Sequence, residues 1–143
     1  MATETENPLV SAVERVGDRW TLLIVDALMT GPRRFGELTD EVSGIAPNIL
    51  SARLRNLERE GLVRSQPYSR KPLRVAYDLT AGGRELAGAL RLLAQWGAST
   101  ESGAEALRHA DCGTPMEARW YCPTCARVVD EAPATWDEDL RYV

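Results

Sequence analysis

The segment PNILSARLRNLERE, residues 47–60, constrains this chain more than any other. Leu50, Leu54 and Leu57 stand at i, i+4 and i+7, a spacing that puts them on one face of a helix and requires that face to be buried. Pro47 suits the first turn of that helix and Gly61 its stop. At 100° per residue the opposite face collects Asn48, Ala52, Arg55 and Arg59, flanked by Ser51 and Asn56. Arg53 falls near the apolar edge and reads as a structural, snorkelling residue.

A helix buried on one side and polar on the other needs neighbours, and the preceding residues supply them. Leu9, Val10, Val13 and Val16 recur at helical spacing and stop at Gly17. A second helix, opened by Asp18 or Arg19, runs through TLLIVDALM and ends before Gly31-Pro32. Phe35, Leu38 and Val42 mark a third, and a loop containing Gly44 leads to Pro47. Two strand-like runs follow, LVRSQ and LRVAYDL, separated by the turn-rich and basic PYSRKP. A fifth helix is expected over Gly83–Gly97 with two apolar stripes, Leu86, Leu90, Leu93 and Ala89, Leu92, Trp96, where a surface helix needs only one. Trp20 and Trp96 could line an effector pocket, although core or interface packing is the commoner use of such residues.

Helix, turn, helix and basic hairpin is the order of a winged helix-turn-helix, whose second helix enters the DNA major groove while the hairpin touches backbone. Asn can read adenine, Arg can read guanine, and a small residue such as Ala52 permits close approach. Arg70, Lys71 and Arg74 in the hairpin are candidates for phosphate contact, which supplies affinity and register rather than base reading. The net charge of −4 hides a gradient. Residues 33–74 hold nine Arg/Lys against five Asp/Glu, whereas residues 99–143 hold four against nine. Positive charge therefore sits where a DNA-facing surface needs it.

The stretches VERVGDRWTLLIVDALMTGPRRFGEL, GIAPNILSARLRNLEREGLV and YSRKPLRVAYDLTAGGREL resemble the HxlR-type branch of bacterial winged-helix regulators, relatives of the MarR group. The resemblance runs from Asn7 to Gly97, about two-thirds of the chain. It implies a dimeric transcription factor, not an enzyme, whose terminal helices build the dimer and whose helix Pro47–Glu60 reads double-stranded DNA. Two departures stand out. Members of that branch commonly begin with Cys-Pro and some sense oxidants or aldehydes there, but this chain has Asn7-Pro8, which excludes thiol chemistry at that position. A basic residue is common where this chain has Asn48, so base preference can differ.

Beyond the resemblance, the chain's only histidine and all three cysteines form H-x2-C-x9-C-x2-C: His109, Cys112, Cys122 and Cys125. Two paired-ligand turns at this spacing match a small ribbon holding structural zinc. Fewer than thirty residues cannot hold a core unaided, and such a zinc can supply on the order of 10 kcal/mol. Free thiols in a flexible tail and a redox-active CPTC pair are the alternatives. A catalytic deaminase zinc is disfavoured, since H-A-D and Y-C-P-T-C replace its H-x-E and P-C-x-x-C.

The expected fold is mostly α with a small β-hairpin wing, plus a small C-terminal metal-ribbon-like module. Residues 7–98 form the DNA-binding and dimerisation domain, 99–108 a linker or helix end, 109–130 the ribbon, and 131–143 an acidic tail that could cover the DNA face. The expected function is sequence-specific regulation, as a repressor, by a homodimer on a pseudo-palindromic operator, with any small-molecule effector unidentified. Rival readings are a zinc-dependent protein-interaction module on a winged-helix scaffold and a thiol-redox protein, the latter without the βαβ pattern it needs. No 18-residue apolar stretch and no secretory leader is evident, so a cytoplasmic protein without membrane contact is expected.

Overall fold

The computed structural model describes residues 7–100 and 107–129. It divides into two compact units, Met1–Arg91 and Leu92–Val143. Four helices open the first: α1 Pro8–Val16, α2 Arg19–Leu28, α3 Phe35–Glu41 and α4 Pro47–Arg59. A two-residue strand, β1 Arg33–Arg34, precedes α3, and the wing strands β2 Val63–Arg70 and β3 Leu73–Leu79 follow α4. The three strands form an antiparallel sheet in the order β1-β3-β2. None of the described helices is long and apolar enough to cross a membrane.

The core is one cluster in which Ile24, Val25 and Leu28 of α2 meet Leu38 of α3, Leu50, Leu54 and Leu57 of α4, and Leu79 of β3. Val42 and Ile45, on either side of Gly44, are buried too. They pin the α3–α4 turn into the core, while Gly44 at φ +82° takes the left-handed conformation that the tight connection demands. Helix α4 ends in a paired 6→1 and 5→2 closure, Leu62 N to Leu57 O at 2.9 Å and Gly61 N to Glu58 O at 3.1 Å, with Gly61 at φ +71°. These bonds satisfy its last carbonyls and aim the chain directly into β2.

Several features differ from the sequence expectation. The wing strands run further, through PYSR, leaving Lys71-Pro72 as the turn between the paired Arg70 and Leu73. Pro67 is tolerated because β2 is an edge strand, and a bulge leaves Tyr68 without a partner residue on β3.

The expected helix over Gly83–Gly97 is instead two, α5 Ala81–Arg84 and α6 Ala87–Thr100, separated at Glu85–Leu86. The break follows from tertiary packing. Thr80 caps α5 by accepting from Gly83 N at 3.1 Å while donating to Gly61 O at 2.6 Å, and this presses Gly83 onto the chain at Leu62. Leu86 and Leu90 pack on the core, but Leu93 is half exposed and does not continue that stripe.

A Cβ on Gly83 would lie 2.1 Å from the Leu62 carbonyl oxygen, a backbone atom with no room to yield. Gly83→Ala is accordingly expected to cost about 1–3 kcal/mol in denaturant unfolding, and an unchanged midpoint would contradict this close approach.

Candidate nucleic-acid interface

Helix α4 is held at a defined rotation. Its three leucines are buried, and Arg53 Nε donates to Asp18 Oδ1 at 2.9 Å. Asp18 also caps α2, accepting from Trp20 N at 3.1 Å and Thr21 N at 3.2 Å, and it takes the hydroxyl of the fully buried Thr21. Partial burial pushes the Asp18 carboxyl up, but the hydrogen bonds from Thr21 and Arg53 outweigh it and hold the group below its ordinary value. Arg53 thus acts in structure, as its place on the wheel predicts.

With the leucines inward, Asn48, Arg55 and Arg59 are exposed and Ser51, Ala52 and Asn56 half-buried. Arg59 donates to Asn56 Oδ1 at 3.0 Å, one turn apart on the displayed face. In the wing, Arg70, Lys71 and Arg74 are all exposed at or beside the hairpin turn.

The remaining cations of this region are committed elsewhere. Arg33 pairs with Glu41 at 2.6 Å, and Arg64 and Arg84 converge on the buried Asp78 at 3.2 and 2.9 Å. Arg34 lies 4.5 Å from the ring centre of Tyr68, the bulge residue. These ion pairs and this stacking contact were not readable from the sequence, because each joins two different elements whose relative placement the sequence pattern does not give.

The family model for the HxlR-like helix-turn-helix matches residues 15–104. The chain belongs to that family. It is a DNA-binding regulator of the winged helix-turn-helix type, and its family is one of transcription regulators rather than enzymes. It is 42% identical over 122 residues to an uncharacterized HTH-type transcriptional regulator of Mycobacterium tuberculosis, Rv3095, covering 82% of this chain and 77% of that one. It is 36% identical over 86 residues to the HTH-type transcriptional regulator YodB of Bacillus subtilis, over 60% and 77% of the two chains. Among solved structures, PA1607, a candidate transcription factor, is similar at TM-score 0.77 and 30% identity over 98% of this chain and 96% of its own. The likeness to PA1607 therefore takes in the segment beyond the family match.

That segment forms two hairpin turns in the second unit of the regulator. In the first, Arg108 bridges to Pro115, His109 N donates to Thr114 O at 2.9 Å, and Gly113 N donates to His109 O at 2.8 Å. The second joins β4 Trp120–Cys122 to β5 Arg127–Val129. His109 Nδ1 lies 3.3 Å from Cys112 Sγ, which is also 3.3 Å from Thr114 Oγ1. Hydrogen bonds with Thr114 and then with His109 bring the Cys112 thiol down to about 7. Cys122 is lowered by hydrogen bonds from Cys125. The structure brings the four residues together as two pairs and not as one set of four: among the described residues no group of three or more His, Cys, Asp and Glu side chains is placed to hold a metal. The acidic tail and most of the expected linker lie outside the described residues, whereas residues 99 and 100 belong to α6.

The lowered Asp18 carboxyl has a defined linkage sign. A depressed folded-state pKa contributes stability that is complete above the unfolded value and is lost as pH falls through the folded one. The stability gap between the regulator and its Asp18→Asn variant is expected to stay constant above about pH 5 and to close below the ordinary carboxylate range. A gap that persists unchanged into strong acid would remove Asp18 from this role.

Proposed function

We propose that the regulator binds a two-fold symmetric operator as a homodimer and acts as a repressor by occupying that DNA. Asn48, Ser51, Ala52, Arg55, Asn56 and Arg59 of α4 face the bases, while Arg70, Lys71 and Arg74 of the wing hold phosphates. One observation carries this reading. Arg55, Arg59, Arg70, Lys71 and Arg74 form no ion pair with a carboxylate among the described residues, whereas Arg33, Arg53 and Arg64 of the same region do. With Arg34 taken up by the Tyr68 ring, the cations of this region without a carboxylate are the ones on the displayed helix face and at the wing turn, where base edges and phosphates would complete them.

Dimerisation draws support from faces that the single chain leaves in water. Helix α1 buries only Val16 and exposes Leu9, Val10 and Val13, and α6 exposes Leu92 and Leu93. Apolar stripes of this kind gain most by burial against a second copy, and a two-fold pair of recognition helices reads half-sites about one DNA turn apart. A dimer acting on chromosomal DNA works in the cytoplasm.

Selection of bound DNA from a random pool tests the reading at its root, since a symmetric motif is expected and an unenriched pool would defeat it. Arg55→Ala is expected to cost about 1–3 kcal/mol on that operator and to relax base preference. Arg70→Ala and Lys71→Ala should weaken all sequences alike and flatten the salt dependence. Equal, sequence-independent losses from all three would take base reading away from Arg55. Leu92→Asp should weaken self-association and operator binding together, and a wild-type chain that sediments as a monomer at about micromolar concentration, the middle of the usual affinity range, would rule out the dimer.

A further inference from the structure

The C-terminal hairpins present a physical problem that the DNA-reading function does not solve. From Leu107 to Val129 every residue is exposed except the half-buried Cys122 and Val129. Met116, Trp120, Tyr121 and Val128 all count among the exposed large apolar residues of the chain. Isolated two-stranded hairpins are marginal in water, and a module this small needs a staple where burial is lacking. The three cysteines are free thiols, so no disulfide among them provides it.

Both turns are nevertheless shaped around the same kind of residue pair. In the first, Gly113 at φ +69° closes the loop and sets His109 and Cys112, three positions apart, at 3.3 Å. In the second, Cys122 pairs across the strands with Arg127, and Ala126 takes φ +51°, a left-handed conformation unusual for a residue with a side chain. That turn carries Cys122 and Cys125, three positions apart, on one hairpin. Both turns thus place two soft or borderline donors side by side at their ends, and the chain has no histidine or cysteine outside them.

We infer that His109, Cys112, Cys122 and Cys125 close on one zinc ion per chain, drawing the two turns together and supplying the staple that the segment lacks. Three thiolates and one imidazole make a four-coordinate set suited to Zn(II). The ion replaces the contact now made in the first turn: the His109–Cys112 contact gives way to metal–ligand bonds, Cys122 and Cys125 of the second turn supply the other two, and the thiol protons pass to solvent. A closed set leaves no open position for substrate, so the role is structural. The inference stands apart from the assignment of DNA-reading residues and can fail or hold without it.

The full-length chain, loaded with zinc and dialysed against metal-free buffer, is expected to retain about one zinc per chain by elemental analysis. Cobalt loading should give the thiolate charge-transfer bands and intense d–d bands of a tetrahedral sulfur site. Cys122→Ser/Cys125→Ser and Cys112→Ser should lose both, and His109→Ala should bind more weakly, with the helical content of all three unchanged as evidence that the remainder is folded. Trypsin should cut slowly after Arg119 and Arg127 in the zinc-loaded chain and rapidly after chelation. Zinc well below one per chain after loading, equal retention by the cysteine variants, or cleavage indifferent to metal would each overturn the inference, as would a Cys122–Cys125 disulfide persisting in zinc-loaded protein.

Discussion

Burial of Leu50, Leu54 and Leu57 is the constraint on which the rest of the regulator depends. Each fully buried leucine is worth about 1.5–3 kcal/mol, against about 0–1 kcal/mol for an exposed ion pair. The leucines therefore set the rotation of α4, and the half-exposed Arg53–Asp18 contact trims it. Once that rotation is set, every other side of the helix follows at fixed angles. The polar face turns outward because the apolar face has nowhere else to go. Display of that polar face is in this sense a by-product of core formation: the same three side chains that hold α2, α3 and β3 together also present Arg55 and Arg59 to solvent.

What could be read from the sequence was what periodicity controls. Helices α1 to α4, the displayed face of α4 and the basic hairpin all carry local signals: helical spacing of apolar residues, Pro47 and Gly61 at the ends of α4, and clustered turn formers. The misses arise where distant segments meet. The split between α5 and α6 is imposed by Gly83 lying against Leu62, a contact across some twenty residues that no helical wheel contains. Strand β1 is two residues of arginine, which no strand pattern identifies, and exists because β3 offers it an edge at Ala76 and Tyr77. The wing strands outrun their apolar pattern because backbone pairing, not burial, carries them into the basic tip.

The candidate interface shows the same division at the level of charge. Composition located the positive region, and the wheel located its displayed face. Which arginines are already spent was visible only for Arg53, which the wheel set apart; Arg64 reaching Asp78 across the sheet and Arg33 reaching Glu41 could not be seen. For the cysteine segment, spacing identified the pairs and the structure shows each formed within its own turn. The distance between the two turns is a tertiary matter on which spacing is silent.

The edge strand β2 bears on what can add to this sheet. An exposed edge ordinarily invites a second chain to add a strand. Here Pro67 lacks the amide such an addition needs, Tyr68 bulges out of register, and Arg64 and Arg70 place charge along the same strand. The wing is thereby left sociable toward a polyanion but inhospitable to its own kind.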